Sequence, residues 1–537
     1  MSRAALPSTL IRSSGSMAVG TLLSRGTGFL RTIVIAAAIG TTIGDAYNTA
    51  NTIPNIVYEL LLGGVLTSVV VPLLVAAARR DGDGGDGYAQ RLLTVVVVGL
   101  TVTTALAIGL APWIIRLYVG GTREVAAARL AVTFARYFLP QILFYGVGAL
   151  LGAILNVRGS FAPPMWAPVL NNAVVIVTGG LFIAVTRGRD VVAGRVSGGA
   201  TLLLALGTTL GIVAQTLALF PALRRTGFRF RLRWDLRGAG LRPAAALGRW
   251  VLVYVLANQV AFLVITRLAF AARYPGTFTI YVYAFVLVSL PYAVVAVSVI
   301  TALLPRMSAS ALDGRLGDVS ADLSRGLKLA AVVLVPAELG AIALGPLVGA
   351  VLFAHHTLSL GTGRLIGATL AAYAVSLVPF AGFQMQLRAF YALRDTRTPA
   401  LVNIGVNSVN LLADLVLFVA LPPRERVVGL ALGYSLSYIA GYACFAVLLR
   451  RRLGITRPAR LTRTLVRLGV AGALAAGLGY AVAHLLTRVA GDGAGGSALG
   501  LLAGAGAATP LYVWLVLRMR IPEVREIGGL VGGRIRP

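Results

Sequence analysis

Two arginines interrupt the first apolar segment of the chain and are its most unusual feature. Arg25 and Arg31 lie in that segment, and Asp45, Asn55 and Glu59 follow in or near the next one. A charge at the centre of a bilayer costs roughly 2.5–3.5 kcal/mol on insertion scales, so intramembrane arginines mark a candidate functional site. Arg25 and Arg31 are six residues apart, about 9 Å along a helix and about 120° around it. The two residues do not share one helix face, but their side chains are long enough to converge on one cavity. There a guanidinium fits a phosphate, and in particular a diphosphate, with paired hydrogen bonds.

An internal ion pair is the alternative explanation for these charges. Arg25 or Arg31 would then pair with Asp45 or Glu59. Buried ion pairs seldom add net stability, so pairing alone explains poorly why the charges are kept. For Asp45, beside the turn between the two segments, a gate and a helix cap are equally supported.

Polar residues in later apolar segments suggest a cation or proton site. Asn403, Asn407 and Asn410 follow one another at spacings of four and three and share one helix face, with Asp414 one further turn along. That face could coordinate a cation, although hydrogen bonding between helices is the commoner use of such residues. Glu338 is a further candidate for an ion or a proton.

The composition is that of a polytopic membrane protein. Of 537 residues, 58% are hydrophobic and 12% charged, with a mean hydropathy of +0.85, whereas soluble domains carry about 25% charged residues. Fourteen apolar stretches are long enough to span a bilayer. They lie near 14–40, 46–78, 90–118, 127–156, 163–187, 198–222, 245–272, 277–305, 326–353, 364–390, 399–421, 427–450, 463–487 and 497–518.

The net charge of +30 does not indicate nucleic-acid binding, because the basic residues punctuate the gaps between spans instead of forming one patch. Alternate gaps are rich in arginine, which is typical of cytoplasmic loops. We therefore expect a multi-pass protein of the bacterial plasma membrane with both termini in the cytoplasm. In the loop after the sixth span, Phe228–Trp234 alternates apolar residues and arginines, which predicts contact with lipid headgroups.

An internal repeat divides the chain into two six-helix copies. Residues 150–172 and 386–408 share a helix–turn–helix pattern at an offset of 236, which equates Arg158 with Arg394 and Asn171 with Asn407. Such parallel repeats around a central cavity are typical of alternating-access transporters. The predicted organisation is an N-lobe (1–222), a basic linker (223–244), a C-lobe (245–450), and two further spans with a cytoplasmic C-terminus (451–537).

No enzyme constellation is present in the sequence. The three histidines, His355, His356 and His484, lack the cysteine or carboxylate neighbours of a metal site. We expect neither enzymatic activity nor a cofactor.

The opening segments resemble the lipid II flippases of the MurJ/MviN family, within the MOP exporter superfamily, and the likeness extends over essentially the whole chain. The matching motifs are Ser24-Arg25, Gly28-Phe29-x-Arg31, Asp45-Ala46, Pro54-Asn55, Gly63-Gly64, Val71-Pro72, Gly152–Asn156, Ala167-Pro168-x-x-Asn171-Asn172 and Leu304-Pro305. The resemblance implies an all-α, MATE-like fold of two six-helix lobes, with spans 13 and 14 forming a groove for a lipid tail. It also implies Arg25 and Arg31 as essential residues and Asp45 as the acid of an outer gate, with Ser24 and Asn55 among the substrate-binding candidates.

The chain departs from the family pattern at two cavity positions. Glu59 and Val286 stand where well-studied members have arginines, so Arg136 and Arg267 become candidates to supply the missing charge. This variant is similar to the actinobacterial branch of the family.

The implied function is movement of lipid II, the undecaprenyl-diphosphate-linked disaccharide-pentapeptide, from the inner to the outer leaflet. The resemblance implies coupling to the membrane potential, Na⁺ or H⁺, and we expect a monomer with membrane lipids and cell-wall synthesis proteins as partners. The alternatives are export of another polyprenyl-linked glycan, cation-coupled drug antiport, and a scaffold without transport activity.

Overall fold

The computed structural model describes most of the chain. It covers residues 8–60, 70–80, 82–120, 125–186, 196–231, 233–234, 241–355, 357–454, 459–521 and 523–524. Some side chains within these ranges lie outside the description, namely those of 8–18, 42, 59–60, 71–72, 80, 125, 241–248 and 459–460. The chain divides into two compact units, Met1–Gln259 and Val260–Pro537.

The first unit consists of apolar helices joined by short turns. They are α1 (Ser8–Ile39), α2 (Thr42–Leu60), α3 (Val71–Arg80), α4 (Asp86–Val119), α5 (Val125–Phe138), α6 (Gln141–Val157), α7 (Ala162–Thr186), α8 (Gly198–Leu217) and α9 (Leu219–Arg225). Helix α10 (Leu241–Ala271) runs from this unit into the second. Between α1 and α2, Gly40 has a φ of 63°, which glycine adopts without the steric cost of a side chain and which ends α1.

The second unit is built in the same way. Its helices are α11 (Thr277–Pro291), a π-helical turn (Tyr292–Ala296), α12 (Val297–Leu312), α13 (Leu316–Phe353), α14 (Leu360–Ala374), α15 (Leu377–Ala392), α16 (Arg397–Ala420), α17 (Arg426–Leu453), α18 (Ala459–Ala490) and α19 (Ala494–Arg518).

Within the described residues, twelve helices are long and apolar enough to cross a membrane, or thirteen if the bent pair of α14 and α15 is one span. These thirteen coincide with thirteen of the predicted spans. The second predicted span, 46–78, passes through residues 61–69, which lie outside the described residues. A fourteenth span therefore stays a prediction.

The tenth predicted span, 364–390, is not one straight helix. Helices α14 and α15 meet at a bend of 48°, because Pro379 has no N–H for the Val375 carbonyl and its ring would clash with that carbonyl in a continuous helix. The Glu338 carboxylate of α13 accepts a hydrogen bond of 2.9 Å from the Val378 N–H at the start of α15. Glu338, a candidate ion or proton site from the sequence, thus caps a broken helix.

At the turns after α6 and α15, equivalent residues of the two units are separated by one position less than the predicted offset. The predicted register is therefore wrong by one there. In the corrected register, the end of α6 falls on the end of α15, and the start of α7 on the start of α16. In the turns after α6 and α15, Gly159 and Arg394 are the matching left-handed residues, with φ of 79° and 57°. The structural equivalent of Asn407 is therefore Asn172, not Asn171.

The turn after α15 is stabilised by Asp395. Its carboxylate accepts hydrogen bonds from the Thr398 N–H (3.0 Å) and hydroxyl (2.7 Å) and forms an ion pair with Arg452 of α17. Burial by itself raises the pKa of Asp395, but the hydrogen bonds from Thr398 and the charge of Arg452 outweigh it and hold the pKa below the usual 3.8.

We expect Asp395 to make the stability of the second unit depend on pH. Because its pKa is lower in the folded protein, its contribution is present above the ordinary aspartate pKa and is lost as the pH falls through the folded value. Melting temperatures measured from about pH 6 to about pH 3 should fall less steeply for Asp395→Asn than for the wild type. Arg452→Gln raises the folded pKa of Asp395, so its loss should be smaller than in the wild type and complete at a higher pH. Identical profiles for all three proteins would contradict this role.

Candidate functional site

Helix α1 is held against α7 by a side-chain amide. The Asn172 Nδ2 group donates hydrogen bonds of 3.0 Å to the Ser24 carbonyl and to the Thr27 hydroxyl. The contact with Ser24 is therefore made by its main chain, whereas the sequence suggested Ser24 as a substrate-binding side chain. This contact fixes the position of α1 beside α7 at the level of Arg25.

Glycines allow α1 and α7 to approach closely. A Cβ atom added to Gly20 would lie 2.9 Å from Nε1 of Trp166, and one added to Gly28 would lie 3.4 Å from the Asn172 amide. From the other side, a Cβ atom on Gly179 would lie 2.8 Å from Val34. Small residues at helix contacts are typical of membrane proteins, where close packing replaces the hydrophobic effect as the main attraction between helices.

The two arginines have different surroundings. Arg31 is half-buried and Arg25 is exposed. Tyr47 of α2 and Tyr145 of α6 both lie within electrostatic range of Arg31. Three helices of the first unit therefore contribute to the surroundings of Arg31.

The tyrosines around Arg31 belong to a hydrogen-bonded group. The Tyr145 hydroxyl donates to Oδ1 of Asn55 over 3.1 Å, and the Tyr58 ring packs on Tyr145 with centroids 4.5 Å apart. The Tyr47 hydroxyl lies 3.0 Å from that of Thr208. We call Tyr47, Tyr58 and Tyr145 the tyrosine cluster. This cluster places aromatic rings, on which sugars stack, near the Arg31 guanidinium. It also places hydroxyl groups there, which can hydrogen-bond to sugars and phosphates.

No described carboxylate forms an ion pair with Arg25 or Arg31. Asp45 instead lies in the first turn of α2, where a carboxylate is favoured by the helix dipole. The Glu59 side chain lies outside the described residues. Because a half-buried charge is costly unless it is paired, the surroundings of Arg31 favour an external anion.

The two further arginine candidates lie away from Arg31 or in the other unit. Arg136 is exposed on α5, two residues from both Phe134 and Phe138, whose rings pack against Tyr47. Two residues correspond to about 200° of helix, so Arg136 points away from the tyrosine cluster. Arg267 is exposed on α10, within the second unit.

The second unit holds a buried carboxylate on α16. Asp414 is fully buried, and Asn410 donates to its Oδ2 over 2.9 Å, whereas Oδ1 has no hydrogen bond. Gly433 of α17 faces this group, where any Cβ atom would collide with the carboxylate. Asn407 instead donates to the Asn403 carbonyl of its own helix over 2.9 Å. Of the predicted cation-site residues, Asp414 thus keeps a buried carboxylate oxygen without a hydrogen bond, with Asn410 as its neighbour.

An apolar cavity of about 510 Å³ lies in the second unit beside α18 and α19. Its lining includes Pro291, Pro336, Leu344, Leu370, Ala475 and Tyr512. The α18–α19 hairpin is tied to the rest of the unit by the ion pairs Lys328–Glu523 (3.2 Å) and Arg364–Asp492 (3.3 Å).

Sequence reasoning missed the tyrosine cluster and Asn172 as parts of the site. Tyrosines in apolar segments are common, so their type alone does not single them out. Asn172 belongs to a motif that carries the family resemblance, but its contact with α1 depends on the packing of α7.

Comparison with known proteins identifies the family. A family model described as lipid II flippase MurJ matches residues 35–493. The chain belongs to this family. The lipid II flippase MurJ of Burkholderia cenocepacia is 30% identical over 410 residues, which cover 74% of this chain and 76% of that protein. A probable lipid II flippase MurJ of Vibrio cholerae is 26% identical over 538 residues, which cover 96% and 98%.

Solved structures confirm the predicted all-α, MATE-like fold. A structure of lipid II flippase MurJ in an inward closed conformation aligns with a TM-score of 0.73 at 18% identity, covering 94% of this chain and 99% of that one. An inward-facing multidrug resistance MATE family transporter of the MOP superfamily aligns at 0.59 and 18% identity, covering 80% and 100%. This chain is a multi-pass membrane protein, and its branch within the family stays a prediction.

We expect Asn172→Ala to destabilise the first unit by about 1–2 kcal/mol, because it removes two hydrogen bonds from a partly buried contact. Thermal unfolding of the purified protein measures this loss. Ser24→Ala is the matched control, since Asn172 binds the main chain of Ser24, and it should leave the melting temperature nearly unchanged. Equal losses in both variants would show that the side chain of Ser24 supports the contact.

Proposed function

We propose that this protein moves lipid II from the inner to the outer leaflet of the bacterial plasma membrane without changing it chemically. Family membership supports the cargo. The single structural observation that supports it most directly is the half-buried Arg31 beside the tyrosine cluster, with no ion pair to a described carboxylate.

In this proposal the diphosphate binds in the first unit. Arg31 donates paired hydrogen bonds to phosphate oxygens, and exposed Arg25 makes the first contact with the approaching anion. The rings of Tyr58 and Tyr145, with Asn55, bind the adjoining sugar. The apolar cavity beside α18 and α19 is a candidate site for a polyprenyl chain.

Transport then follows by alternating access, with Asp45 of α2 acting in the outer gate. Outward movement of an anion is favoured by a membrane potential negative inside, by about 2.3 kcal/mol per charge and 100 mV. The arginine-rich loops support cytoplasmic placement of both termini. We further propose that the protein acts as a monomer beside cell-wall synthesis proteins.

We expect Arg31→Ala to lower lipid II translocation about 10- to 100-fold, because a charge-assisted contact contributes about 1.5–3 kcal/mol. The measurement is a leaflet-resolved assay of lipid II in vesicles that contain the purified protein. Arg31→Lys should retain part of the activity, since it keeps the charge but loses the paired donors.

Arg136→Ala is the matched control, because it removes an equal charge from the far side of α5. Unchanged translocation by Arg31→Ala would sink the proposal. Unchanged translocation together with a lowered melting temperature would instead support the scaffold alternative. A variant series that alters drug efflux but not lipid II movement would favour an antiporter.

We also propose that Asp414 and Asn410 form the coupling site for Na⁺ or H⁺. The buried carboxylate has one oxygen without a hydrogen bond, and carboxylate and amide oxygens are the ligands that hard cations prefer. A bound cation or a proton would remove the cost of an unpaired buried charge.

Asp414→Asn should abolish stabilisation by Na⁺, measured as the rise in melting temperature with added NaCl relative to choline chloride. Asn407→Ala is the control, because the Asn407 amide is bonded within its own helix, and it should keep the response. A Na⁺ response that survives in Asp414→Asn would place the cation elsewhere. If neither the wild type nor the variants respond to Na⁺, a dependence of translocation on the pH gradient in the wild type alone would identify the proton.

A further inference from the structure

The segment after α9 crosses the beginning of α4. Gln90 donates through Nε2 to the Arg229 carbonyl over 2.7 Å, and the Arg233 N–H donates to the Thr94 hydroxyl over 3.1 Å. We call residues 228–234 the strap; Leu232 lies outside the described residues.

The first residue of the strap is anchored by Arg158. The Phe228 ring is buried, with the Arg158 guanidinium 5.2 Å from its centroid. Arg158 also donates to the Thr226 carbonyl over 3.0 Å and forms an ion pair with Asp86 at the start of α4. The strap is therefore fixed to the first unit by two backbone hydrogen bonds and by the buried ring of Phe228.

The other described side chains of the strap are exposed. Phe230 and Trp234 are 44% and 69% exposed. Arg229, Arg231 and Arg233 are also exposed, although the Arg233 guanidinium rests over Gly87 near Asp83. Large rings alternating with guanidinium groups suit the boundary between lipid tails and phosphates.

A row of exposed apolar residues on α4 shows where the boundary between lipid tails and phosphates lies. Large apolar residues are exposed along one length of the helix, namely Val95, Val102, Leu106, Leu110, Trp113 and Leu117. The row starts one residue after Thr94, which binds the strap. From Val95 to Trp113 the helix rises about 27 Å, close to the roughly 30 Å of a bilayer core. The strap therefore lies at the level of the headgroups, on the side of the membrane where α4 begins.

We propose that the strap is a binding site for anionic phospholipid. Arg229 and Arg231 bind the phosphodiester oxygens, while the rings of Phe230 and Trp234 enter the upper part of the acyl layer. The site has no counterpart in the transport mechanism described above, and the proposal does not depend on the cargo.

The test is a titration of the full-length protein in detergent with phosphatidylglycerol or phosphatidylcholine, with bound lipids counted by native mass spectrometry. The wild type should bind phosphatidylglycerol more tightly than phosphatidylcholine. Arg229→Gln with Arg231→Gln should weaken phosphatidylglycerol binding about 10- to 30-fold, since each basic residue near an anionic surface contributes about a fivefold effect. Trp234→Ala should weaken the binding of both lipids.

Arg450→Gln with Arg451→Gln removes the same charge from the exposed end of α17 and should change phosphatidylglycerol binding less than about twofold. Equal losses in the two double variants would overturn the proposal, because they would show a general effect of net charge. Equal binding of both lipids by the wild type would overturn it as well. If the strap variant weakened binding only of a polyprenyl diphosphate, the strap would belong to the transport path. Melting temperatures verify that each variant is folded.

Discussion

The structure depends on one constraint, the cost of leaving a charge or a backbone polar group unpaired in an apolar medium. In the first unit, Asn172 satisfies the Ser24 carbonyl and Thr27 hydroxyl on α1. In our proposal the charge of Arg31 is left for an external partner. In the second unit, Glu338 accepts from a backbone N–H exposed by a helix break. Asn172 and Glu338 thus satisfy backbone groups that the bilayer could not.

Close helix packing supports the arginine site. A Cβ atom on Gly20 would lie 2.9 Å from Trp166, and one on Gly179 would lie 2.8 Å from Val34, so larger residues there would push α1 away from α7. The distance between these helices determines whether Asn172 can reach the Ser24 carbonyl. The glycines and the amide therefore act together, one allowing the approach and the other fixing its position.

The two units use a common plan for different purposes. The turns after α6 and α15 match, with Gly159 equivalent to Arg394, yet one is bound to α4 through Arg158 and the other to α17 through Asp395. The charged residues also differ, since a half-buried arginine stands near tyrosines in the first unit, whereas the second unit buries Asp414 as well as Tyr281 and Tyr373. The two units therefore place different charges on similar helices.

The sequence alone determined the membrane class, the positions of thirteen spans and the family resemblance. Apolar length and charge spacing depend on local composition, and a bilayer imposes both on any chain that crosses it. It also singled out Arg31 and Asp414, because charges in apolar segments are rare. Only the tertiary structure decided which residues surround them. Tyr145 of α6 meets Asn55 of α2, and Asn172 of α7 meets α1, through the packing of separate helices. Arg136 is turned away from the tyrosine cluster by the rotation of α5. The register of the repeat also required the structure, since a shift by a single position preserves the sequence pattern but not the left-handed turn.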